Sequence, residues 1–356
     1  MSSANSLPVV WMYSGQGSQY FAMGRALYSC EPVFRETFDE ISNYALRWTC
    51  RPIANVVYDY RGSQFDVFNE TRFTHPALFA VQYALDRLLR SRGYEPDYVL
   101  GYSLGEFVAL ATSGALDWRD CIIALMHHAD AVQSLPEAGA MLAVLDTPEI
   151  FPKLVGLFPE LELAAVNAPR HFVVTGPVES VHNAKDWLTA HEIGSAVLPV
   201  SHPFHSAALH AADESLSELM AGFRLGSIKT PVVSCSAARV IHELPTGLPH
   251  GITRATIEFG KALAALESTG PKLYVDIGPS GTLAGFVRHN GGLNPASEAL
   301  MIMTPFGQEH RNLAAAQARM DCVGTAHDSV RAGTPQSSDG AGTDGLRRNG
   351  AALGAS

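Results

Sequence analysis

The pentapeptide Gly-Tyr-Ser-Leu-Gly at residues 101–105 constrains the fold of this chain more than any other feature. It stands between an apolar run at residues 98–100 and a helix-like stretch at residues 106–111. A strand that turns abruptly into a helix needs small residues on both sides of the central one, and the Gly-x-Ser-x-Gly spacing provides them. The pattern predicts a strand–turn–helix unit that exposes Ser103 at a helix N-terminus. Free N–H groups there favour a developing oxyanion, so Ser103 is a candidate nucleophile.

The composition of this 356-residue chain is typical of a globular enzyme and argues against other classes. The length suggests about two domains, and an apolar content of 47% is enough for a full core. A net charge of −10 argues against a broad nucleic-acid interface. The N-terminus lacks a basic segment followed by an apolar one, and no apolar run is long enough for a membrane helix. We therefore expect neither secretion nor a membrane span.

The cysteines are scattered and include no Cys-x-x-Cys pair; they are Cys30, Cys50, Cys121, Cys235 and Cys322. An odd number at such spacings indicates neither a disulfide framework nor a zinc site. We therefore expect a reducing cytoplasmic environment, no metal and no bound cofactor.

Apolar periodicity divides the chain into a larger α/β unit and a smaller unit inserted within it. A buried-type strand at residues 9–13 ends in a glycine-rich turn at 14–19, and a helix with Pro76 in its first turn is predicted at 74–89. Residues 138–200 instead read β-α-β-β-α-β, the order of a ferredoxin-like unit. Later strands are predicted at residues 232–235, 272–277 and 301–304.

The predicted fold class is α/β, with an α/β-hydrolase-like large subdomain that has a short parallel sheet and an inserted ferredoxin-like small subdomain. The large subdomain is placed at residues 8–137 and 201–308, and the small one at 138–200. Apolar periodicity fades after these segments, and the end of the chain is rich in Gly, Ala, Ser and Thr. Residues 311–356 are therefore predicted to form a disordered tail.

A serine hydroxyl becomes a nucleophile when a base takes its proton, and that base is usually histidine. Of the 14 histidines, His205 stands out by its setting. An extended run at residues 196–200 leads directly into the turn Ser-His-Pro-Phe-His-Ser at 201–206, which can present one imidazole at the end of a strand. From these features alone His205 is a candidate base, although a structural role is the more common one for a histidine.

Five segments, taken together and in order, resemble one protein family. They are Gly-Gln-Gly-Ser-Gln at 15–19, Gly-Tyr-Ser-Leu-Gly-Glu at 101–106, Asn-Ala-Pro at 167–169, Pro-Phe-His-Ser at 203–206 and Asp-Ile-Gly-Pro at 276–279. The combination resembles the malonyl-CoA:acyl carrier protein transacylases and the acyltransferase domains of polyketide and fatty acid synthases. The resemblance covers residues 8–308.

The resemblance implies a Ser-His dyad, in which Ser103 is acylated and His205 acts first as base and then as acid. It also implies an oxyanion hole made by the backbone N–H groups of Gln16 and Leu104.

In this family a main-chain carbonyl orients the histidine. A Thr-Val-Glu-like helix start, matched here at residues 256–258, implies that this carbonyl lies near Ile252. Asn167 matches a recurrent polar residue near the family's site, although a turn-forming role before Ala168 and Pro169 explains it equally well.

If only the strand–turn–helix unit around Ser103 is considered, an ordinary α/β-hydrolase is the main alternative to this family. It would need an acid between the serine and a later histidine, and four aspartates are available: Asp117, Asp120, Asp130 and Asp146. However, the chain has no His-Gly-Gly-Gly-type loop, and only one good strand candidate precedes the strand that leads into Ser103. This alternative is therefore disfavoured.

The chain departs from the family at the position that binds a free carboxylate. Extender-unit transacylases carry an arginine 25 residues after the serine, where a planar guanidinium pairs with malonyl or methylmalonyl groups. Here that residue is His128, and the nearest arginine, Arg119, lies more than two helical turns earlier. A neutral imidazole cannot form the bidentate pair, and an imidazolium is a minority species at pH 7. The alternative is a conservative replacement that leaves malonyl transfer intact.

Four further residues are predicted to line the acyl pocket. His75 stands where the family usually has glutamine, and Tyr102 replaces the usual histidine before the serine. Both should change the polar lining, although neutral drift explains either replacement as well. His202 and Phe204 belong to a segment that resembles the version associated with malonyl selection, which is a weak indication without the arginine.

A family member with the dyad but without the carboxylate-binding arginine resembles the stand-alone acyl hydrolases of polyketide synthases with trans-acting acyltransferases. The expected function is to clear stalled, non-malonyl acyl groups from acyl carrier proteins, with water attacking the acyl-Ser103 intermediate. One alternative is an acyltransferase that loads a malonyl or monocarboxylic unit onto an acyl carrier protein from acyl-CoA. The other is a non-catalytic scaffold that binds carrier proteins.

The expected partners are the acyl carrier protein domains of a polyketide synthase. The phosphopantetheine of the carrier, or CoA, would enter as part of the substrate. We expect no nucleic-acid or membrane partner and a monomeric protein.

Overall fold

A computed structural model describes residues 7–135, 138–244, 251–290 and 293–331, with side chains up to residue 324. The strands within these ranges are β1 (Val9–Tyr13), β2 (Tyr98–Gly101), β3 (Gly139–Val144), β4 (Glu162–Ala168), β5 (His171–Pro177), β6 (Ser195–Val197), β7 (Val232–Ser234), β8 (Arg239–Ile241), β9 (Leu273–Asp276) and β10 (Glu298–Met301).

The α-helices in the same ranges connect and cover these strands. They are α1 (Arg25–Cys30), α2 (Pro32–Thr49), α3 (Ile53–Tyr58), α4 (Thr71–Ser91), α5 (Gly105–Thr112), α6 (Trp118–Gln133), α7 (Phe151–Leu157), α8 (Val178–Ala190), α9 (His210–Ala221), α10 (Phe259–Glu267), α11 (Thr282–His289) and α12 (Glu309–Arg331). No helix in the described ranges is long and apolar enough to cross a membrane.

A six-stranded sheet in the order β10-β9-β1-β2-β7-β8 forms the centre of the larger part of the molecule. All its pairs are parallel except β7 with β8 at one edge. Strand β1 is apolar at every position because both faces of the sheet are covered. Trp11 and Tyr13 pack into one hydrophobic core, whereas Val10 and Met12 pack into the core on the other face.

The carboxyl ends of adjacent parallel strands bring the functional segments together. Tyr13 at the end of β1 pairs with Gly101 at the end of β2, and the N–H of Tyr102 donates to the Tyr13 carbonyl at 2.9 Å. The glycine-rich loop after β1 and the serine turn after β2 therefore emerge side by side. This edge is where parallel α/β sheets generally bind ligands.

A separate four-stranded antiparallel sheet has the order β4-β5-β3-β6. One face packs against α7 and α8 through a small apolar core that includes Leu142, Phe172 and Leu188. The other face contributes Met141 and Val173 to a core shared with the larger sheet. The predicted fold class, a parallel sheet with a separate ferredoxin-like antiparallel unit, is confirmed.

Two predicted elements are displaced along the chain. Helix α4 begins at Thr71, so Pro76 lies inside the helix and not in its first turn. The proline removes one backbone hydrogen bond, and extensive burial of the helix compensates for that loss. Strand β10 occupies Glu298–Met301 and not residues 301–304, because its register with β9 pairs Met301 with Asp276.

The prediction of disorder from residue 311 is wrong for residues 311–331, which belong to α12. A stripe of four residues at helical spacing is buried against the larger core: Leu313, Ala316, Met320 and Val323. Polar residues fill the rest of the helix, so the stripe raises the local apolar content too little to stand out in the sequence. Residues 332–356 of the predicted tail lie outside the described residues.

The contact between the serine turn and β1 generates a prediction at Gly105. A Cβ atom at Gly105 would lie 2.0 Å from the carbonyl oxygen of Tyr13, a backbone atom that cannot move aside alone. We expect Gly105→Ala to lower the free energy of unfolding by about 3 kcal/mol, measured by urea denaturation.

Gly156→Ala is the matched control, because Gly156 lies in α7 and an added Cβ would meet nothing within 4 Å. This substitution should raise stability by about 0.5–1 kcal/mol, since alanine is the better helix former. Equal unfolding midpoints for the two variants would contradict the packing argument.

Candidate active site

Ser103 lies in the turn between β2 and α5, as predicted, and has a positive φ of 54°. Left-handed backbone is unfavourable for a residue with a side chain and is typical of a strained nucleophile turn. The turn also requires glycine at position 101, because a Cβ there would lie 2.4 Å from the Cα atom of Glu106. The two glycines of the pentapeptide therefore serve close packing, and the serine between them takes the strained conformation.

Glu106 fixes the start of α5 to the neighbouring strand β7. Its buried carboxylate accepts hydrogen bonds from the Ser234 hydroxyl at 2.9 Å and from the Ser236 N–H at 2.8 Å. Burial raises the pKa of the Glu106 carboxyl to about 7, and the hydrogen bonds oppose this rise. The role of Glu106 was not predicted from the sequence, although an acidic residue at the start of an otherwise apolar helix is a recognisable signal.

His205 follows β6 and is hydrogen-bonded through both ring nitrogens. Nε2 lies 2.8 Å from the Ser103 hydroxyl, and Nδ1 lies 2.8 Å from the carbonyl oxygen of Ala255. A carbonyl oxygen can only accept, so Nδ1 carries the proton and Nε2 is free to accept the serine proton. This tautomer is the one that a general base requires.

The prediction that Ile252 supplies the orienting carbonyl is wrong, because the Ala255 carbonyl is the acceptor. Residues 251–254 form a turn in which the Ala255 N–H donates to the Gly251 carbonyl at 2.7 Å. The helix start predicted at residues 256–258 is also wrong, because α10 begins at Phe259, and the orienting carbonyl lies correspondingly later in the chain. Ile252 is instead buried in the larger hydrophobic core.

The bridging segment, residues 253–257, holds His205 against the antiparallel sheet. Its first carbonyl accepts the N–H of His205 at 3.1 Å. At its other end, the N–H of Ile257 donates to the Ala164 carbonyl at 2.9 Å, and the Ile257 carbonyl accepts the N–H of Val166 at 2.8 Å. The orientation of the imidazole therefore depends on the antiparallel sheet.

The glycine-rich loop after β1 lies directly against the nucleophile. A Cβ atom at Gly15 would lie 2.7 Å from the Cβ atom of Ser103. Gln16 is the next residue, and Leu104 directly follows the serine at the start of α5. Within the described residues, neither backbone N–H donates to another group. Both are available to an oxyanion, as the predicted role of these two residues requires.

Gln82 on α4 holds the start of this loop in place. Its side-chain oxygen accepts the Ser14 N–H at 2.6 Å, and its amide nitrogen donates to the Ser14 carbonyl at 3.0 Å. Both residues are buried. A glutamine on a long apolar helix gave no signal of this role in the sequence.

Four of the six predicted pocket residues form one aromatic cluster. The ring centroid of Phe204 lies 6.1 Å from those of His75, His128 and His202. Phe204, His75 and His128 are all buried. Since Phe204 directly precedes His205, this cluster lies beside the dyad.

The other two predicted pocket residues, Tyr102 and Asn167, form a separate group. The Tyr102 hydroxyl donates to the Asn167 side-chain oxygen at 2.9 Å. With the Gln16 loop they line a cavity of about 180 Å³, whose walls include apolar side chains such as Leu198 and Phe286. Asn167 is therefore part of the lining and does more than form a turn.

A chain of hydrogen bonds connects Gln16 to the aromatic cluster. The Gln16 side-chain nitrogen lies 2.5 Å from His75 Nδ1, and His75 Nε2 lies 3.1 Å from His128 Nδ1. Burial lowers the pKa of His75 well below 6.5, and the neighbouring His128 lowers it further. Burial also lowers the pKa of His128 to about 3, with a smaller contribution from His205. Both imidazoles are therefore neutral at physiological pH.

Comparison with known proteins identifies the family. The family profile described as "Acyl transferase domain" matches residues 10–328. This chain belongs to the acyl transferase family. Within the described residues, no group of three or more His, Cys, Asp or Glu side chains is arranged to hold a metal ion.

Two curated relatives of this acyltransferase-family chain match over most of their length. The chain is 35% identical over 306 residues to the polyketide biosynthesis acyltransferase homolog PksD of Bacillus subtilis, covering 86% of this chain and 94% of that protein. It is 34% identical over 306 residues to the homolog BaeD of Bacillus velezensis, with the same coverage.

Solved structures of similar proteins share the fold. A loading acyltransferase from the avermectin modular polyketide synthase is 27% identical, with a TM-score of 0.78 over 88% of this chain and 99% of that one. A protein named MCAT from Streptococcus pneumoniae is also 27% identical, with a TM-score of 0.70 over 87% of this chain and 99% of that one.

The environment of His205 predicts an acid-tolerant reaction. Burial lowers the pKa of His205 to about 4, although the hydrogen bond to Ala255 opposes this shift. A base must be neutral to act, so the rate of Ser103 acylation should change by less than about 10% between pH 7.5 and pH 5.5. A histidine with an ordinary pKa of about 6.5 would lose roughly nine tenths of the rate over this interval. Intact-protein mass spectrometry of acyl-Ser103 at short times measures the rate, and circular dichroism in the same buffers verifies the fold.

The buried histidine pair predicts a pH-dependent stability. The unfolded chain binds protons at these residues below about pH 6.5, whereas the folded chain keeps them neutral, so stability falls as the pH drops. Each buried histidine should lower the free energy of unfolding by about 2 kcal/mol between pH 7 and pH 5. The double variant His75→Gln/His128→Gln should therefore lose about 4 kcal/mol less than wild type over this range in urea titrations. His182→Gln replaces an exposed histidine and is the matched control. A curve for the double variant that is parallel to wild type would refute the prediction.

Proposed function

We propose that this protein is an acyl hydrolase that removes non-malonyl acyl groups from the acyl carrier protein domains of a polyketide synthase. One observation carries the proposal. A neutral, buried histidine occupies the position where an arginine would bind a substrate carboxylate, next to a well-formed Ser103–His205 pair. The phosphopantetheine arm of the carrier would belong to the substrate.

In the first half-reaction the Ser103 hydroxyl attacks the thioester carbonyl, and His205 Nε2 takes its proton. The backbone N–H groups of Gln16 and Leu104 stabilise the oxyanion of the tetrahedral intermediate. When the intermediate collapses, the carbon–sulfur bond breaks, and the proton on His205 passes to the leaving thiol. The products are acyl-Ser103 and a free carrier thiol.

In the second half-reaction water attacks the acyl-serine ester. His205 takes a proton from the water, the same backbone N–H groups stabilise the new oxyanion, and the proton then returns to the Ser103 oxygen. The acyl group leaves as a free carboxylic acid. The Ala255 carbonyl supports each step because it keeps the proton of the neutral ring on Nδ1.

The neutrality of His128 disfavours acyl groups that carry a carboxylate. A malonyl carboxylate buried beside His128 would lose its water shell and would gain no opposite charge. The loss of a buried charge-assisted pair costs about 2–5 kcal/mol, which corresponds to some tens-fold or more in affinity. Monocarboxylic acyl groups avoid this penalty.

A transferase is the second candidate, and the names of the relatives favour it. PksD and BaeD are called acyltransferase homologs, and the avermectin protein is called a loading acyltransferase. In that case a malonyl or monocarboxylic unit from acyl-CoA would acylate Ser103, and a carrier thiol would replace water as the acceptor. A non-catalytic scaffold would have no need for the base-competent tautomer of His205.

An assay with acyl-loaded carrier protein as substrate distinguishes these three candidate functions. We expect the wild-type protein to convert acetyl-carrier to free carrier thiol and acetate with no acceptor present, followed by mass spectrometry. Transfer of the acetyl group to a second, unloaded carrier would favour the transferase instead. A carrier that stays loaded with both wild type and Ser103→Ala would favour the scaffold.

The same assay tests the role of position 128. Because a guanidinium restores the charge and the bidentate geometry, we expect His128→Arg to raise the malonyl-to-acetyl ratio of Ser103 labelling by at least tenfold. His127→Arg adds the same charge one residue away on α6 and should leave the ratio unchanged. An unchanged ratio for His128→Arg would mean that position 128 does not contact the acyl group.

A further inference from the structure

His128 carries a buried polar atom that the reaction above does not use. Its Nε2 has no hydrogen-bond partner among the described residues, and the residue is only 2% exposed. Buried polar atoms in native proteins almost always have a partner, and an unpaired one often marks a functional site. A ligand that supplies the missing partner would relieve this unfavourable state.

The hydrogen-bond chain determines whether this atom donates or accepts. The Gln16 side-chain nitrogen donates its two protons to Thr74 Oγ1 at 2.9 Å and to His75 Nδ1 at 2.5 Å. His75 Nδ1 is therefore an acceptor, so the His75 proton lies on Nε2 and is donated to His128 Nδ1. The proton of a neutral His128 must then lie on Nε2, which makes this atom a donor.

The opposite arrangement is less favourable. If the Gln16 amide were reversed, its oxygen would accept from Thr74 and His75, and its two N–H groups would be buried without an acceptor. In the observed arrangement the Gln16 amide leaves only its own oxygen without a partner, in addition to His128 Nε2. An under-satisfied carbonyl oxygen is more readily tolerated than an orphaned N–H group. The direction of the hydrogen-bond chain follows from this difference.

The donor lies among the groups that surround an acyl-serine. The chain begins at Gln16, whose neighbour Gly15 lies against Ser103. It ends at a ring 6.1 Å from that of Phe204, the residue before His205. Because both ends of this hydrogen-bond chain lie beside residues adjacent to Ser103 and His205, we expect an acyl chain on Ser103 to be the ligand that reaches His128 Nε2.

We infer that His128 Nε2–H is a specificity-determining donor for an uncharged oxygen on the acyl chain, and that 3-oxoacyl and 3-hydroxyacyl groups are the preferred substrates. The inference rests on the proposed function only in taking acyl thioesters as the ligands. Condensation of thioesters leaves an oxygen on C3, the first oxygen beyond the reacting carbonyl. A saturated acyl chain leaves the His128 Nε2–H donor without a partner. A carboxylate would need a positively charged partner, and the neutral His75 and His128 side chains do not provide one.

Three carrier proteins loaded with four-carbon chains test the inference: butyryl, 3-hydroxybutyryl and 3-oxobutyryl. The measurement is the initial rate of acyl-Ser103 formation, by intact-protein mass spectrometry. We expect wild type to prefer both oxygenated chains over butyryl by about tenfold, because butyryl leaves a buried N–H unsatisfied. His128→Phe keeps a ring of similar shape without a donor and should reduce the preference to less than about twofold.

His128→Gln restores an N–H donor and should restore the preference for the oxygenated chains. His127→Gln is the matched control, because His127 bonds the Ser215 hydroxyl at 2.8 Å and lies outside the hydrogen-bond chain. Thermal unfolding of each variant verifies that the comparison is made on folded protein. A wild-type preference that persists in His128→Phe would overturn the inference, as would an equal loss of rate with all three chains.

The readout separates this inference from the proposed function. Formation of acyl-Ser103 precedes the step that distinguishes water from a carrier thiol. If acyl-Ser103 persists until a second carrier is added, the hydrolase proposal fails, and the acyl preference is still measured. If acyl-Ser103 is hydrolysed without any preference among the three chains, the hydrolase proposal stands and the inference about His128 fails.

Discussion

The hydrogen bond between the Ser103 hydroxyl and His205 Nε2 is the interaction on which the rest of the site depends. Its partners are 102 residues apart in sequence, and both have positive φ values, of 54° and 60°. Each strained residue is held by a different part of the protein: Ser103 by the close packing of β1, β2 and α5, and His205 by the bridging segment 253–257. A single side-chain hydrogen bond of 2.8 Å therefore connects two backbone segments that are stabilised independently.

The buried pair of His75 and His128 shows how polar groups can be buried side by side without a charge. A guanidinium must be paired or solvated wherever it is buried. Two adjacent imidazoles can instead remain neutral, since each can donate from one nitrogen and accept at the other. In this protein His75 and His128 are bonded to each other and to Gln16, so the pocket keeps directional polar groups and has no net charge. Selection among acyl groups can then depend on hydrogen bonding.

Local patterns predicted the features that depend on local physics. The serine turn, the β-α-β-β-α-β order and the candidate base His205 all followed from short stretches of sequence. Features that depend on distant contacts did not. The orienting carbonyl was misplaced by three residues because α10 begins at Phe259, three residues after the predicted helix start at Thr256. Helix α12 was missed because its stripe has meaning only against a core built from other segments.

The third group of the site, the Ala255 carbonyl, belongs to the peptide backbone. No side-chain replacement at position 255 removes this oxygen, so point substitutions can test the proposed roles of Ser103 and His205 but not the role of their partner. A neutral carbonyl also cannot titrate, so it orients His205 without adding an ionisable group to the site. Only a change to the main chain itself, such as an ester in place of the peptide bond after Ala255, would reveal the contribution of this acceptor.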